Sequence, residues 1–397
     1  MISLRSLFLQ HVAQTSETPV GLEVERAEGV FIYDYSGKAY LDLISGVSVS
    51  SIGHCNPKVV DAVKVQAEKY MHLMVYGEYI QTPQVEYAQL LAKQLPETLS
   101  QVYFVNSGSE ANEGALKLAK RYTGRTELVG FVKAYHGSTH GALSMMGDEL
   151  FKNAFRPLLP DTRHLPFNSI ESLDQISSRT AAVLVEPQQG EAGAIVPNHD
   201  FLVALRKKCN ETGALLIFDE VQTGFGRSGS LFAFQRFGVT PDIFTIAKGM
   251  GGGMPIGAFV SSKEIMQCLK TNPVLGHITT FGGHPVSCAA ALATLNVLLE
   301  SNYIEEVASK EELFRKRLVH QKIQEVRGVG LLLAVELGSA SMVQKVIKGA
   351  LNRGILLDWF LFCDTAFRIA PPLIITSDQI EMACKALLEA IDEADHL

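Results

Sequence analysis

Short runs of consecutive apolar residues recur through the middle of the chain, and segments of mixed apolar and polar character separate them. Several of these runs lack the alternation of a half-exposed strand, which is typical of strands that helices cover on both faces. Strands alternating with helices over this length predict an α/β fold with a mostly parallel central sheet. The runs that predict strands are 101–105 (QVYFV), 126–132 (TELVGFV), 181–187 (AAVLVEP), 214–221 (ALLIFDEV) and 242–249 (DIFTIAKG).

The two ends of the chain show a different pattern. Residues 29–43 contain two alternating apolar segments around a Ser-Gly pair, which predicts a β-hairpin. Near the C-terminus, short apolar strands alternate with helices, and the last helix is expected from Ser377 to His396. Such a mixture predicts a smaller α+β domain. We therefore expect residues 49–289 to form a large domain, and residues 1–48 and 290–397 to form a small one.

The composition excludes several classes of protein. Hydrophobic residues make up 47% and charged residues 19%, which is a globular balance with enough apolar material for a large core. The net charge of −7 leaves no basic field for nucleic acid. The 6 cysteines form no CxxC pair, so neither structural zinc nor a disulfide scaffold is expected.

Neither a membrane span nor a targeting segment is predicted. The longest mostly apolar run, 286–299, is shorter than the ~20 residues that a membrane-spanning helix needs, and we expect a buried helix there. The N-terminal apolar stretch contains an Arg and a Gln-His pair, so it makes a poor signal peptide. We expect a cytoplasmic protein.

Chemically reactive residues follow the predicted strands at their carboxyl ends. In an open parallel sheet, ligands bind outside these ends. We therefore expect a phosphate-binding turn, three carboxylates and a lysine to meet in one crevice. The residues concerned are Ser107, Gly108, Ser109, Glu186, Asp219, Glu220 and Lys248.

These residue types together match the needs of one cofactor. The Ser-Gly-Ser turn opens a predicted helix, whose N–H groups and dipole suit a phosphate, although an ordinary helix cap has the same pattern. Desolvation would make Lys248 a nucleophile toward carbonyls, although it could also extend to the surface. Asp219 ends a buried strand and needs a cationic or N–H partner. A lysine for an aldehyde, an aspartate for a ring nitrogen and a phosphate cradle are what pyridoxal 5′-phosphate requires.

The motifs of the chain, in their order, resemble those of the class III pyridoxal-phosphate aminotransferases, the group of ornithine, acetylornithine and 4-aminobutyrate aminotransferases. The resemblance extends from about Gly29 to about Ile375, and DEVQTGFGR is its most specific part. It implies a fold-type I pyridoxal-phosphate transferase. The motifs are NSGSEANEGALKLAKRY (106–122), AYHGSTHGA (134–142), VEPQQGEAG (185–193), LLIFDEVQTGFGRSG (215–229), TIAKGMGGGMPIGA (245–258), TTFGGHP (279–285) and FRIAPPL (367–373).

The resemblance implies roles for five residues around the cofactor ring. Lys248 is similar to the lysine that forms a Schiff base with the cofactor and then moves the proton of the reacting carbon. Asp219 is similar to the aspartate that pairs with the ring nitrogen, and Gln222 to the residue that binds the ring's 3-oxygen. Val221 is expected on one face of the ring and Tyr135 on the other.

The resemblance also implies a phosphate site and a shared dimer. The 107–109 turn matches the family's phosphate loop, and Thr280 matches a threonine that reaches the phosphate of the neighbouring subunit. A homodimer with shared active sites follows from that match. Glu186 is expected near the cofactor, and His136 is expected to line the pocket rather than to bind a metal; no metal site is predicted.

The expected substrates are an amino donor, with an ω-amino group of a diamine or ω-amino acid, and a 2-oxo acid acceptor. Arg368 resembles the residue that binds the substrate carboxylate, and Glu191 the one that pairs with it when no carboxylate is present; a plain ion pair is the alternative. Ser138 stands where ornithine and acetylornithine enzymes usually carry an arginine for the distal carboxylate. Two hypotheses follow: another cation, such as Arg156 or Arg163, binds the distal carboxylate of 2-oxoglutarate, or the acceptor is a monocarboxylate such as pyruvate.

Other reactions on the same scaffold stay open from the sequence. Aminomutases, racemases and decarboxylases share the lysine, the aspartate and the phosphate turn with the aminotransferases. The Arg368 and Glu191 combination favours transamination between two different substrates.

Overall fold

The protein is described by a computed structural model over residues 3–396. The strands are β1 (Val24–Glu28), β2 (Phe31–Asp34), β3 (Ala39–Asp42), β4 (Gln101–Val105), β5 (Glu127–Phe131), β6 (Thr162–Leu165), β7 (Thr180–Val185), β8 (Leu215–Asp219), β9 (Ile243–Ile246), β10 (Gly257–Ser261), β11 (Glu325–Val329), β12 (Leu332–Glu336), β13 (Ile355–Leu356), β14 (Trp359–Phe360) and β15 (Cys363–Ile369). The helices are α1 (Leu4–His11), α2 (Ser45–Ser48), α3 (Pro57–Lys69), α4 (Thr82–Ala92), α5 (Gly108–Thr123), α6 (His140–Ser144), α7 (Glu149–Lys152), α8 (His199–Thr212), α9 (Ala233–Phe237), α10 (Lys263–Met266), α11 (Pro285–Glu300), α12 (Val307–Arg317), α13 (Ala340–Asn352) and α14 (Ser377–His396).

The central sheet runs in the order β4-β10-β9-β8-β7-β5-β6 within the described residues. β10 is antiparallel to both of its neighbours, whereas β9, β8, β7, β5 and β6 pair in parallel. Every residue of β7, β8 and β9 is buried, which explains their unbroken apolar runs. The α/β fold with a mostly parallel sheet is confirmed.

The remaining strands form two smaller sheets, ordered β1-β2-β3-β13 and β11-β12-β15-β14 within residues 3–396. The predicted hairpin at 29–43 is confirmed, because β2 and β3 pair antiparallel. β3 pairs in parallel with β13, so that Leu41 lies opposite Ile355. This pairing joins the N-terminal segment to the C-terminal part of the chain, as the proposed small domain requires; its boundaries at 49 and 289 stay a prediction.

Helix α5 begins at the carboxyl end of β4 and starts with a capped turn. The Ser107 hydroxyl accepts a hydrogen bond from Glu110 N–H at 3.1 Å. The Glu110 carboxylate accepts from the N–H of Asn106 at 2.7 Å, one residue earlier than in the usual capping box. The helix ends at Gly124, whose left-handed φ of 68° suits glycine. These caps fix the start of α5 at the edge of the sheet where the strands end.

The apolar segment 286–299 lies within α11, and most of its side chains are buried. The helix packs against α3 and α4. Across the part of the chain that the structure describes, no helix combines the length and apolar character that crossing a membrane would need.

Candidate active site

A cavity of about 640 Å³ lies at the carboxyl ends of the parallel strands. The turn after β4 contributes one wall, and the residues after β7, β8 and β9 contribute the floor. Most of the residues predicted to bind the cofactor line it, so the sheet brings together what the sequence separates by more than 140 positions. The cofactor residues that line it are Ser107, Gly108, Ser109, Tyr135, His136, Glu186, Asp219, Val221, Gln222 and Lys248, and Ser138, predicted to face the substrate, lines it as well.

Glu220 is the exception among the carboxylates predicted at the strand ends. Its side chain accepts hydrogen bonds from the N–H groups of Ala233 and Phe234, both at 2.7 Å, and from the Thr223 hydroxyl at 2.8 Å. Successive residues of an extended chain point to opposite sides, so Asp219 and Glu220 cannot both face the cavity. The expectation that Glu220 joins the crevice was therefore wrong, and Glu220 caps α9 instead.

Asp219 is buried and held from several directions. Its Oδ2 accepts from Asn112 Nδ2 and lies next to His136 Nδ1, both at 2.8 Å, and its Oδ1 accepts from Val221 N–H at 3.0 Å. Asn112 in turn accepts from the Thr245 hydroxyl at 2.7 Å. The carboxylate therefore has one fixed orientation at the cavity wall, and Oδ1 keeps capacity for a further donor.

Lys248 begins the turn after β9 and has a left-handed φ of 47°, which is uncommon for a residue with a side chain. Burial lowers the pKa of Lys248, while the nearby Glu191 carboxylate acts in the opposite direction. Within residues 3–396, no ion pair involves its amine. The strained backbone thus presents a weakly basic amine to the cavity, as a nucleophile for an aldehyde requires.

Glu186 connects two segments that frame the cavity. Its two oxygens accept hydrogen bonds from the N–H groups of Tyr135 and Gly190, each at 2.8 Å. Burial raises the pKa of Glu186 to about 7, and the neighbouring His136 lowers it in part. The prediction placed Glu186 near the cofactor, and the structure places it in the wall behind Tyr135.

Unpartnered buried atoms test whether this wall suits pyridoxal 5′-phosphate. Gln222 Nε2 and His136 Nε2 are buried without a hydrogen-bond partner among the described residues. Burying an amide N–H without a hydrogen-bond acceptor costs free energy. An oxygen on the cofactor ring would accept the hydrogen bond from Gln222 Nε2. The residues therefore fit a polar ring with an oxygen substituent.

The 107–109 turn fits a phosphate. A Cβ on Gly108 would come within 2.7 Å of Val221, so only glycine allows α5 to start this close to the wall. The first N–H groups of a helix have no partner within the helix, and the helix dipole favours an anion there. Ring and phosphate sites thus adjoin in one cavity.

Arg368 and Glu191 form a buried ion pair. Arg368 is 1% exposed, and its Nη2 lies 2.8 Å from both carboxylate oxygens of Glu191. Leu361 N–H also donates to Glu191, at 3.1 Å. One face of the guanidinium lies on the ring of Phe360, 4.6 Å from its centroid, and Nη2 is 3.5 Å from the carbonyl of Trp359. The predicted pairing is present, held by the β14–β15 hairpin.

A second carboxylate, which the sequence did not single out, also faces Arg368. Asp358 Oδ1 lies 3.5 Å from Arg368 Nε. Burial raises the pKa of Asp358 to about 6, although Arg368 lowers it in part. Nη1 of Arg368 is buried without a hydrogen-bond partner in the described residues, so it keeps donors available for a ligand.

Thr280 and the two alternative cations lie outside this cavity. Thr280 is exposed and does not line the cavity of its own chain. Arg156 is paired with Glu149 at 2.7 Å, and Arg163 with Glu127 at 3.1 Å. Glu127 is the first residue of β5, so this pair lies at the amino end of that strand, whereas the cavity lies at the carboxyl ends.

Asn112 was missed from the sequence although it touches Asp219 and His136. Its position, one helical turn after Ser109 on the same helix, could have indicated it, because residues three apart on a helix share a face. Asp358 had no comparable signal, because its partner Arg368 is reached only through the turn of the β14–β15 hairpin.

Comparisons with known proteins identify the family of this chain. The family profile described as Aminotransferase class-III matches residues 12–391. An acetylornithine aminotransferase from Methanopyrus kandleri is 40% identical over 96% of this chain and 96% of its own length. An acetylornithine aminotransferase from Bacillus subtilis is 36% identical over 93% of this chain and 95% of its own length.

Solved structures show the same architecture. A transaminase from the marine bacterium Virgibacillus superposes with a TM-score of 0.93 at 27% identity, covering 99% of each chain. The ornithine aminotransferase from Toxoplasma gondii ME49 gives 0.91 at 29% identity, over 98% of this chain and 94% of its own. The fold-type I architecture is confirmed, and the chain belongs to the class III aminotransferases, pyridoxal 5′-phosphate enzymes that transfer an amino group to a 2-oxo acid.

Proposed function

We propose that this enzyme takes the ω-amino group of a diamine or ω-amino acid, of the acetylornithine, ornithine or 4-aminobutyrate type, and passes it to a 2-oxo acid in a ping-pong reaction. The buried pair of Arg368 and Glu191, which acts electrostatically on Lys248, is the observation that carries the proposal. The relatives named acetylornithine aminotransferase support the same class of donor.

The Arg368–Glu191 pair would let one cavity accept two kinds of substrate. While Glu191 is paired, Arg368 is neutralised, and a donor without a carboxylate at its reacting carbon meets no unpaired cation. A 2-oxo acid carries a carboxylate beside its reacting carbon, and it would replace Glu191 on the guanidinium through parallel hydrogen bonds. The unpartnered Nη1 of Arg368 supports this exchange.

The residues around the cofactor would share the chemistry among them. When bound, pyridoxal 5′-phosphate supplies an electron-withdrawing ring that stabilises negative charge at the reacting carbon. Asp219 would keep the ring nitrogen protonated, and Lys248 would move the proton at the reacting carbon. Gln222 would bind the 3-oxygen, with Val221 and Tyr135 on the two faces of the ring.

We propose an acceptor with a single carboxylate, such as pyruvate. Arg368, buried in its pair with Glu191, is the arginine that we assign to the first carboxylate. No arginine is among the described residues that line the cavity itself, and Ser138 offers one hydroxyl donor and no charge. Arg156 and Arg163 are paired elsewhere. A second carboxylate would therefore be desolvated without an arginine of this chain, which costs more than the roughly 2–7 kcal/mol of burying a neutral polar group without a partner.

Mixing the enzyme in its pyridoxamine form separately with pyruvate and with 2-oxoglutarate tests the acceptor. We expect pyruvate to restore the aldehyde absorbance faster. A Ser138→Arg variant should shift the preference toward 2-oxoglutarate, and Ser138→Gln, which is long but uncharged, should not. Faster recovery with 2-oxoglutarate in the unmodified enzyme would overturn the monocarboxylate proposal but not the aminotransferase activity.

We further propose a homodimer with shared active sites. Thr280 lies outside its own cavity, so it is available to the phosphate site of a second copy. Large exposed apolar patches commonly mark contacts between proteins. The apolar residues exposed on the segments 71–80 and 274–281 are Met71, Leu73, Met74, Tyr79, Ile80, Val274, Leu275, Ile278 and Phe281.

Subunit mixing tests this arrangement. Lys248→Ala and Thr280→Glu homodimers should each be nearly inactive. In a mixed dimer, one site would combine the intact Lys248 of one subunit with the intact Thr280 of the other. Dissociating and reassociating equal amounts should therefore restore about a quarter of the activity, as expected for random pairing across a two-fold interface. No recovery would contradict sharing of Thr280.

A further inference from the structure

The phosphate turn and the segment 135–142 are joined by a chain of side-chain hydrogen bonds. Ser109 Oγ lies 2.7 Å from Thr139 Oγ1 and accepts from Thr139 N–H at 3.2 Å. The Thr139 hydroxyl donates to Glu113 Oε1 at 2.5 Å. The side chains of Thr139 and Ser109 therefore connect Glu113, which lies on α5, to the edge of the cavity.

The number of hydroxyl protons determines which side chain donates each of these hydrogen bonds. A carboxylate only accepts, so the single hydroxyl proton of Thr139 points toward Glu113. Thr139 Oγ1 is then an acceptor, and Ser109 donates its own proton to it. The Ser109 hydroxyl is therefore fixed on the side of Thr139. Glu110 N–H donates to the Ser107 hydroxyl, so the N–H groups of Gly108 and Ser109 are the ones left to face an anion.

Glu113 is itself fixed by two further donors. It accepts from the N–H groups of Gly141 at 2.7 Å and Ala142 at 3.0 Å, in the first turn of α6. The residue before α6, Thr139, gives no side-chain cap of its own. A Cβ on Gly141 would lie 2.2 Å from Glu113 Oε2, so the two segments approach as closely as glycine allows. One carboxylate from α5 thus caps α6 and orients Thr139.

We propose that Glu113 is a positioning residue for the phosphate of the cofactor. It fixes Thr139, Thr139 fixes Ser109, and Ser109 belongs to the turn that receives the phosphate. The same two segments also approach closely at Gly137, where a Cβ would lie 2.4 Å from Ser109 Oγ. The proposal rests on the cofactor site and not on the choice of donor or acceptor.

Two ligands that differ by the phosphate alone test this proposal. The full-length protein, freed of cofactor, is titrated with pyridoxal 5′-phosphate and with pyridoxal. The dissociation constant for pyridoxal divided by that for pyridoxal 5′-phosphate measures the contribution of the phosphate to binding. We expect Glu113→Ala to reduce that ratio about tenfold, the order of effect of one hydrogen bond to a charged group. Glu113→Gln keeps an oxygen acceptor for Thr139 and should restore most of the loss.

Matched variants separate positioning from general damage. Thr123→Val removes a threonine hydroxyl at the far end of α5, where it bonds to the Ala119 carbonyl, and should leave the ratio unchanged. Thr139→Val keeps the bonds of Glu113 to α6 and should also lower the ratio; this effect should disappear in a Ser109→Ala background.

Two outcomes would overturn the proposal. One is an equal loss of affinity for both ligands, which would mean that Glu113 supports the fold of the whole region. The other is a Glu113→Gln variant as weak as Glu113→Ala. Should Glu113→Ala fail to fold, Thr139→Val decides alone, and an unchanged ratio in that variant counts against the proposal. Because no substrate is added, a failure of the proposed donor or acceptor would not alter these results.

Discussion

Asn112 shows, at the scale of single residues, how a neutral side chain orients reactive neighbours. Its Nδ2 donates to Asp219 and to the His136 carbonyl, both at 2.8 Å, and its Oδ1 accepts from the Thr245 hydroxyl at 2.7 Å. Because both ends of the amide are used, it cannot rotate without breaking hydrogen bonds in a buried site. The orientation of Asp219 therefore depends on a residue that carries no charge.

An Asn112→Leu variant should slow the half-reaction with an amino donor about 10- to 100-fold. The substitution preserves volume but removes one donor to a buried carboxylate, an effect of about 1.5–3 kcal/mol. Stopped-flow absorbance of the bound cofactor measures the rate. Asn210→Leu, on an exposed position of α8, is the control. An unchanged rate in Asn112→Leu would contradict the role of this amide.

Glu220 gives a prediction about stability and pH. Burial raises the pKa of Glu220 from 4.5 to about 7, against the hydrogen bonds it accepts. Its contribution to stability is therefore complete below about pH 4.5 and is lost as the pH rises through 7. We expect the unfolding free energy of the wild type, minus that of Glu220→Gln, to decrease over this range. The exposed Glu17→Gln serves as control, and a difference that stays constant for Glu220→Gln would refute the prediction.

The site residues that could be predicted from the sequence are those at the ends of apolar strands. Lys248 and Asp219 follow apolar strands, so the topology of a parallel sheet alone predicts that they meet. Asn112 and Glu113 act through the face of α5 that they occupy and through side chains from a distant segment. Glu220 was misplaced because a strand end specifies where a residue lies but not the direction of its side chain.

At the scale of elements, α5 packs closely against β10. A Cβ on Gly114 would lie 2.2 Å from Phe259 Cε1.

Strand β10 itself was not predicted, because its five residues follow a glycine-rich stretch and carry no periodic signal. Strand β6 was not predicted for a different reason. Its sequence, TRHL, is mostly polar, and β6 lies at the edge of the sheet, where it pairs with one neighbouring strand. Both segments therefore form strands because of the elements that they pair and pack with, more than because of their own sequences.

A Gly114→Ala variant should lower the free energy of unfolding by about 2–3 kcal/mol, since overpacking forces the ring or the helix to move. Thermal or denaturant unfolding measures the loss. Combining it with Phe259→Leu should give a total smaller than the sum of the two single losses, because the smaller side chain leaves room for the methyl group. Strict additivity would show that the two residues are not in contact.

At the scale of the whole molecule, Arg227 joins three distant parts of the chain. It is fully buried, and it donates to the carbonyls of Leu331 and Pro371 and, at 3.4 Å, to the hydroxyl of Ser45. Burial lowers the pKa of Arg227 to about 9. The loop after β8 is thereby tied to both the N-terminal and the C-terminal segments, which are the parts we propose to form the small domain.

An Arg227→Lys variant should lose at least about 2 kcal/mol of stability although it keeps the charge. An ammonium group cannot reproduce the planar fork that reaches several acceptors, and buried carbonyls without donors are costly. Calorimetry of the variant measures the effect. Arg179→Lys, at an exposed ion pair with Asp161, should differ little from the wild type. A fully stable Arg227→Lys protein would mean that these carbonyls find other donors.

The β14–β15 hairpin gives the enzyme a natural optical reporter. The chain contains 1 tryptophan, Trp359, whose carbonyl lies beside Arg368 and whose side chain is 42% exposed. In most proteins of this size tryptophan emission averages over several positions, whereas here all of it originates next to Arg368, the arginine that we propose to bind the substrate carboxylate. The intrinsic fluorescence of the unlabelled enzyme should therefore respond when a carboxylate displaces Glu191. Ligands with and without a carboxylate could then be distinguished in a titration without any turnover.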